Sequence, residues 1–312
     1  MLIRFATQQD KEKWISLAEN IKGIFQAPNM PYEKEFHDYM IRKINHYEAI
    51  TAIDRMTENL LGMICFSRTK NRISWFAVFQ QYRKKGIGSK LLKCAIDQLD
   101  WKREITAETF TEDYIPGLSA RKTYSKYGFE EKNIFKNDKG QERCLMVLSV
   151  SGKSKPASFH CNFKHYKEMA DPKEKCPVCL KKNHPDPPVI IKEFEYSWLE
   201  CHREAQGKLF GKCHLLSKVH IEHFFDLSDQ DMINIMKDLK RSAAALHKVT
   251  NAVKINYEIH GNSMPHLHIH LFPRYVDDEY HGTPIDYHAV KPSPYESKEE
   301  FDWFVNQMRA LL

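Results

Sequence analysis

His266-Leu267-His268-Ile269-His270-Leu271-Phe272 alternates imidazole and aliphatic side chains along seven residues. Successive side chains of a strand leave opposite faces, so this spacing predicts a strand with three imidazoles on one side and Leu267, Ile269 and Leu271 in a core. Upstream, Lys254 to Tyr257 reads as another strand, carrying Asn256, and Gly261, Asn262 and Ser263 form a turn that leads through Pro265 into the triplet. A row of ring nitrogens on a rigid support suits nucleophilic or metal chemistry. The plain alternative is a half-exposed strand that is polar on one face.

The heptapeptide resembles the signature of the histidine-triad (HIT) superfamily of nucleotide hydrolases and transferases, His-φ-His-φ-His-φ-φ with φ apolar, at all seven positions. Ser263 and Asn256 also sit where nucleotide-binding hydrolases of that family carry Ser and Asn. The resemblance implies that His268 attacks an α-phosphorus to give a transient nucleotidyl-histidine, which water then releases. It further implies that His270 and the backbone stabilise the phosphoryl oxygens and that Ser263 hydrogen-bonds the departing group. Asn256, Gly261, Ser263, His268 and His270 would line the nucleotide site. A neutral imidazole is a good nucleophile near pH 7, because its ordinary pKa is about 6.5. Relatives that transfer nucleotides often have Gln at the third triad position. His270 favours hydrolysis, of a purine nucleoside phosphoramidate, an acyl-nucleotide or a dinucleoside polyphosphate.

At 312 residues and 42% hydrophobic content, the chain has room for two domains, each with its own core. A net charge of +6 suits anionic phosphate ligands but is too small and too scattered to argue for nucleic acid. No apolar run approaches the roughly 18 residues of a membrane span, and Met1 to Trp14 does not read as an export signal, so a soluble cytoplasmic protein is expected. Reduced cysteines follow from that compartment, with Cys65, Cys94, Cys144, Cys161 and Cys201 scattered singly. Ser151 to Pro156 is small, charged and proline-terminated. It sets the expected organisation: residues 1–150, a linker over 151–157, and residues 158–312.

In the first part, Leu2 to Thr7 reads as a strand and Trp14, Leu17, Ile21 and Ile24 as one helix face. Ala49 to Ile53, Leu61 to Phe66 and Ile73 to Phe79 make a strand meander. Gln81 to Lys90 follows, with Gly86 and Gly88, and then a helix marked by Leu92, Ala95, Ile96 and Leu99. Glycines between a strand and a helix start let backbone N–H groups converge on an anion at the favourable end of the helix dipole; ordinary tight turns use them too. Ile105 to Phe110 is a further strand, Ala120 to Phe129 a short helix closed by Gly128, and Arg143 to Val150 a last strand. The segment resembles the GNAT acetyltransferase superfamily: its acetyl-coenzyme A motif, [Gln/Arg]-x-x-Gly-x-[Gly/Ala], matches Arg83 to Gly88, and its Tyr-x-x-x-Gly-Phe matches Tyr124 to Phe129. The resemblance implies acetyl-CoA held by Val78, Arg83, Lys84, Lys85, Gly86, Ile87, Gly88 and Ser89. Tyr124 would protonate the departing thiolate, and Glu108 would deprotonate an amine acceptor directly or through water.

Cys176-Pro177-Val178-Cys179 is a tight knuckle from which two thiolates can bind one tetrahedral Zn2+. HIT relatives with such a knuckle complete the site with the histidine of a Lys-x-His segment and the first triad histidine. The resemblance therefore implies Cys176, Cys179, His220 and His266 as zinc ligands, with His214 and His223 as rivals. If His266 binds metal it is not the acid, and the ion orients the strand. Gly211 to His214 resembles the family's Gly-His segment without its usual spacing, and Ser217 stands where Pro is common. Ser228 with Asp231 resembles a capping box before a helix burying Met232, Ile235, Met236, Leu239, Ala243 and Leu246; Phe301 to Leu312 reads as a closing amphipathic helix.

The expected fold class is α+β in two domains, a GNAT-like mixed central sheet flanked by helices and then a HIT-like antiparallel sheet with helices. The expected function is bifunctional, N-acetyl transfer joined to nucleotide hydrolysis. Fusion in one chain suggests a shared substrate bearing both an amine and a nucleoside phosphate, such as an aminoacyl-nucleotide. Two rival readings are a zinc-containing nucleic-acid or protein binding module with a non-catalytic triad, and an acetyl-CoA sensor. Relatives of the second domain often form homodimers; no stretch of this sequence bears on that.

Overall fold

The computed structural model describes residues 1–150, 152, 158–171, 175–180, 187–203, 209–276, 278, 280, 282–285 and 293–312. All of the expected linker except Gly152 lies outside the described residues. The chain divides into two compact units, Met1–Lys164 and His165–Leu312. Residues 158–164 thus group with the first: Phe163 stacks on Phe5 at 4.2 Å, and its N–H donates to the Gln98 side chain at 3.2 Å.

In the first unit β1 (Leu2–Phe5) precedes α1 (Lys11–Ile21) and α2 (Lys34–Asn45), then β2 (Ala49–Ile53), β3 (Leu60–Ser67) and β4 (Arg72–Val78). After these come α3 (Ile87–Asp97), β5 (Ile105–Thr109), α4 (Leu118–Lys126), β6 (Glu130–Lys136) and β7 (Glu142–Leu148). They form one seven-stranded sheet, order β1-β2-β3-β4-β5-β7-β6, mixed because β4 and β5 run parallel while the other pairs are antiparallel. The expected apolar faces are buried: Trp14, Leu17 and Ile21 of α1 are nearly inaccessible, as are Leu92 and Ala95 of α3. Each such leucine or isoleucine stabilises the fold by about 2 kcal/mol when fully buried, and the Ala95 methyl by less. Ile24 lies beyond the end of α1. The sequence reading also missed α2 and β6, the latter because its burial pattern shows no alternation for a period to reveal.

A fifth helix, α5 (Phe159–Met169), is kinked at Asn162 and crosses the division between the units. The second unit then comprises β8 (Val189–Glu193), β9 (Ser197–Cys201), β10 (Cys213–Ser217), α6 (Asp229–Thr250), β11 (Lys254–Glu258), β12 (His268–Arg274) and α7 (Lys298–Leu311). Its sheet is antiparallel, order β11-β12-β10-β9-β8. Ser228 caps α6 by accepting the Asp231 N–H at 3.1 Å, and Ile235, Leu239, Ala243 and Leu246 bury as expected. Met236 does not. It lies beside that stripe and is 44% exposed, lining a shallow apolar groove with Tyr257 and Ile259.

Candidate functional site

The first unit carries the glycine-bearing turn that the sequence marks as an expected anion cradle. Strand β4 ends at Val78, and a turn delivers the chain to α3, where Gly86 caps the helix with φ +77. That left-handed conformation carries little strain only in glycine, and Lys84 before it is also left-handed, at φ +63. The first helical bond runs from Lys90 N–H to Gly86 C=O, so the N–H groups of Ile87, Gly88 and Ser89 precede it. A Cβ on Gly88 would lie 3.1 Å from the Phe76 ring, so glycine is what lets this turn approach the strand. Arg83 donates from Nε to the Val78 carbonyl at 3.1 Å, tying the turn to the strand end. Val78, Arg83, Lys84, Gly86, Ile87, Gly88 and Ser89 line a cavity of about 190 Å³, closed opposite by Phe110, Ala120 and Thr123; Lys85 instead sets its ammonium over the Tyr82 ring.

Tyr124 and Glu108 are placed differently from that lining. Tyr124 is buried on α4, its ring 6.0 Å from Phe76 and 5.3 Å from Phe129, while its helix neighbours Ala120 and Thr123 face the cavity. Burial pushes its phenol above the ordinary range, so it stays protonated at neutral pH. Glu108 is 45% exposed and ion-paired with Arg72 at 2.7 Å. Among the described residues, no carboxylate or imidazole lines the cavity.

In the second unit the strand begins at His268, so strand alternation governs His268 and His270 but not His266. His266 sits in the preceding turn, held by two backbone bonds, Leu267 N–H to Ile221 C=O at 2.7 Å and Ser217 N–H to Leu267 C=O at 3.0 Å. These bonds bring the segment bearing His220 alongside. The knuckle closes with Leu180 N–H donating to Cys176 C=O, and Cys176, Cys179, His220 and His266 converge with all four ligand atoms within 4.8 Å of one another. Cys179 Sγ is 3.3 Å from His220 Nδ1 and 3.6 Å from His266 Nδ1; Cys176 Sγ is 3.5 Å from His266 Nδ1. Sulfur and nitrogen ligands at about 2.3 and 2.0 Å from a tetrahedral ion lie about 3.5 Å apart, which these three sulfur–nitrogen separations match. The tautomers fit as well. His220 Nε2 donates to Ala170 C=O at 2.9 Å and His266 Nε2 to Ser217 C=O at 2.7 Å; a carbonyl only accepts, which leaves each Nδ1 lone pair for the cluster. Burial, with the adjoining Cys176 sulfur, pushes the Cys179 thiol up to about 11. Of the rivals, His223 stacks on Phe225 beside Glu222, and His214 joins a different group.

Strand register builds the triad face. Glu200 of β9 pairs with His214 of β10, His214 with His270 of β12, and His270 with Glu258 of β11, a row of four titratable side chains across the sheet. The His270 ring lies 4.6 Å from His214, 4.9 Å from His268 and 5.4 Å from His260, and stacks on Phe272. His268 Nδ1 donates to the His266 carbonyl at 2.8 Å, which leaves the ring's lone pair on Nε2. Burial first, and neighbouring positive charge second, pull His270 down to about 2, and burial likewise lowers His268. Lys212, buried beside the row with its ammonium over the Phe272 ring at 5.2 Å, is pulled down by burial to about 8. Glu200 is raised by burial to about 7. His260 Nε2 donates to Glu258 at 2.6 Å, and both line an open groove of about 1000 Å³ that also takes in Asn256. Ser263 and Gly261 lie half-buried in the turn before the triad.

Glu200, His202, Glu258 and His260 were not singled out from sequence, and Lys212 was read only as part of the Gly-His segment. The pattern Glu-x-His, at 200–202 and again at 258–260, was a usable local signal for both pairs; their meeting with the triad was not legible, because it depends on cross-strand register.

Comparison with known proteins agrees with this division. Residues 25–150 match the acetyltransferase (GNAT) domain family and residues 186–277 the HIT domain family. The architecture is thus that of a two-domain fusion, an acetyltransferase-type domain followed by a histidine-triad domain. The chain carries a GNAT domain over 25–150 and a HIT domain over 186–277. It is 27% identical over 122 residues to an uncharacterized HIT-like protein of Methanocaldococcus jannaschii, covering 37% of this chain and 89% of that protein. Among solved structures, a histidine triad protein of Sinorhizobium meliloti covers 40% of this chain and 90% of its own at 23% identity and TM-score 0.36. A GNAT-family acetyltransferase of Bacillus cereus covers 48% and 96% at 15% identity and TM-score 0.38. Among the described residues no helix is long and apolar enough to cross a membrane.

Proposed function

We propose that the chain is a bifunctional enzyme, an acetyl-CoA-dependent N-acetyltransferase and a nucleotide hydrolase acting through nucleotidyl-His268. The observation that carries the second activity is the bond from His268 Nδ1 to the His266 carbonyl, which fixes the tautomer and presents a bare Nε2. That lone pair attacks the α-phosphorus of a purine nucleoside phosphoramidate, acyl-nucleotide or dinucleoside polyphosphate. The new P–N bond forms as the bond to the leaving group breaks, and the leaving group departs with the electron pair. Ser263 hydrogen-bonds it, while His270 and Lys212 stabilise the phosphoryl oxygens, and Asn256 and Gly261 contact the nucleoside. Water then cleaves the P–N bond, releasing nucleoside monophosphate and restoring His268.

Zinc at Cys176, Cys179, His220 and His266 supplies a rigid clamp when bound. His266, held from both ring nitrogens, sets the carbonyl that orients His268. A cytoplasmic compartment, where thiols stay reduced, suits this site.

In the first domain, backbone N–H groups from Lys85 to Ser89 hold the pyrophosphate of acetyl-CoA, with Arg83 and Lys84 adding charge beside Val78. The amine lone pair attacks the thioester carbonyl, the C–N bond forms, and the departing thiolate takes its proton from Tyr124. Glu108, exposed and outside the cavity lining, takes the amine proton through water.

The test follows two products separately in one preparation: adenosine monophosphate from adenosine phosphoramidate, and free coenzyme A from acetyl-CoA with a panel of amines. Both should form. Failure of either removes that half. A shared aminoacyl-nucleotide substrate is tested with an aminoacyl sulfamoyl adenylate and acetyl-CoA; no acetylated product by mass spectrometry would reject it.

A further inference from the structure

The histidine face continues beyond the triad to Glu200, His202 and His214. Glu200 and His202 lie two residues apart at the end of β9, and His214 stands directly opposite Glu200 on β10. One ligand atom from each lies within 4.8 Å of the others. His202 Nε2 is 3.9 Å and His214 Nδ1 4.0 Å from Glu200 Oε1. Those separations exceed a hydrogen bond, so the three groups approach one another without satisfying one another. The Glu200 carboxylate is buried, with these two imidazoles as its ion-pairing neighbours among the described residues. The His214 nitrogen that faces Glu200 is Nδ1, so an ion would be held there; the opposite Nε2 is buried with no hydrogen-bond partner among the described residues.

We propose that Glu200, His202 and His214 bind a divalent first-row transition cation, distinct from the one assigned to the cysteine cluster. Two imidazoles and one carboxylate form a nitrogen–oxygen set suited to Zn2+, Mn2+, Fe2+ or Co2+ rather than to Ca2+ or Mg2+. Ligands at about 2.1 Å from a tetrahedral ion stand about 3.4 Å apart, so closure needs shifts of about half an ångström. Three protein ligands leave coordination positions open, as a catalytic or substrate-binding ion requires. The His270 ring of the triad lies 4.6 Å from the His214 ring. The ion would take a phosphate oxygen of the substrate, a role that rests on the nucleotide-hydrolase reading; the binding itself does not.

Co2+ distinguishes the two sites, because only a thiolate site gives an intense sulfur-to-cobalt absorption band. Equilibrium dialysis of the full chain against Co2+ should give two ions per chain and the thiolate band. The double variant Glu200→Gln, His202→Ala should bind one and keep the band. Cys176→Ser should lose the band and keep the other ion. Glu200→Gln alone, isosteric and read by the same dialysis, should weaken the second ion at least tenfold and covers the case in which the double variant misfolds. One ion in the wild-type chain, or two in the double variant with the excess on surface histidines, would overturn the assignment. Two ions bound without any phosphoramidate cleavage would leave the metal site standing and reject the catalytic reading instead.

Discussion

The turn after β4 and the imidazole row across β12 both suit phosphate, and they are made from different parts of the chain. In the first domain the proposed site is made of main-chain N–H groups at the start of α3 beside Arg83 and Lys84, with Gly86 supplying a left-handed backbone and Gly88 the close approach to Phe76. The second uses side chains from four strands, each aimed by register, with a further clamp at His266. A backbone cradle is a passive binder. An imidazole row is reactive, and its reactivity depends on tautomers that neighbouring carbonyls impose.

That contrast is broken or sharpened by substitutions confined to one side. His268→Ala should lower phosphoramidate hydrolysis at least about a thousandfold while leaving acetyl transfer unchanged; equal loss in both assays would mean that the sites are not separate. Tyr124→Phe should do the reverse, cutting acetyl transfer about a hundredfold with hydrolysis intact. If transfer survives, Tyr124 is packing between Phe76 and Phe129 rather than an acid. Gly88→Val, which drives side-chain atoms at the Phe76 ring, should weaken acetyl-CoA binding about tenfold by calorimetry, since about 1.4 kcal/mol of lost fit is tenfold in Kd. Cys176→Ser should remove the thiolate-bound zinc in a metal assay and lower Tm; unchanged stoichiometry would refute that ligand set.

The smallest effect concerns an ion pair that belongs to neither site. Burial alone would raise Asp10, but hydrogen bonds from Arg4 at 2.7 and 2.8 Å and from Thr7 N–H outweigh it, holding the carboxyl below its usual range. A carboxylate whose pKa falls on folding stabilises above its unfolded value and loses that contribution as pH falls through the folded one. Asp10→Asn should therefore lower Tm at pH 7 by about 4 °C, with the gap shrinking below about pH 4.

Much of this was legible before the fold was known, for reasons the fold makes clear. Alternation over His268–Phe272 and the glycine spacing over 83–88 are local, and these local patterns survive translation into structure. The knuckle is local too, and its partners were reached through resemblance. Met236 escaped the buried stripe because adjacent positions on a helix point about 100° apart, and sequence alone did not fix which edge of the stripe met the sheet. Glu200, Glu258 and His260 were invisible as a site, because each depends on which residue a partner strand sets opposite. His266 was placed on the strand by its period, yet it precedes the strand and turns to the cysteines.

The most direct measurement is mass spectrometry of the full chain, quenched in denaturant at neutral to alkaline pH within the first turnovers with adenosine phosphoramidate. A nucleoside-monophosphate adduct should appear on His268 and be absent from the His268→Ala variant. Adenosine monophosphate released at full rate with no adduct, or with the adduct on another residue, would contradict the central claim.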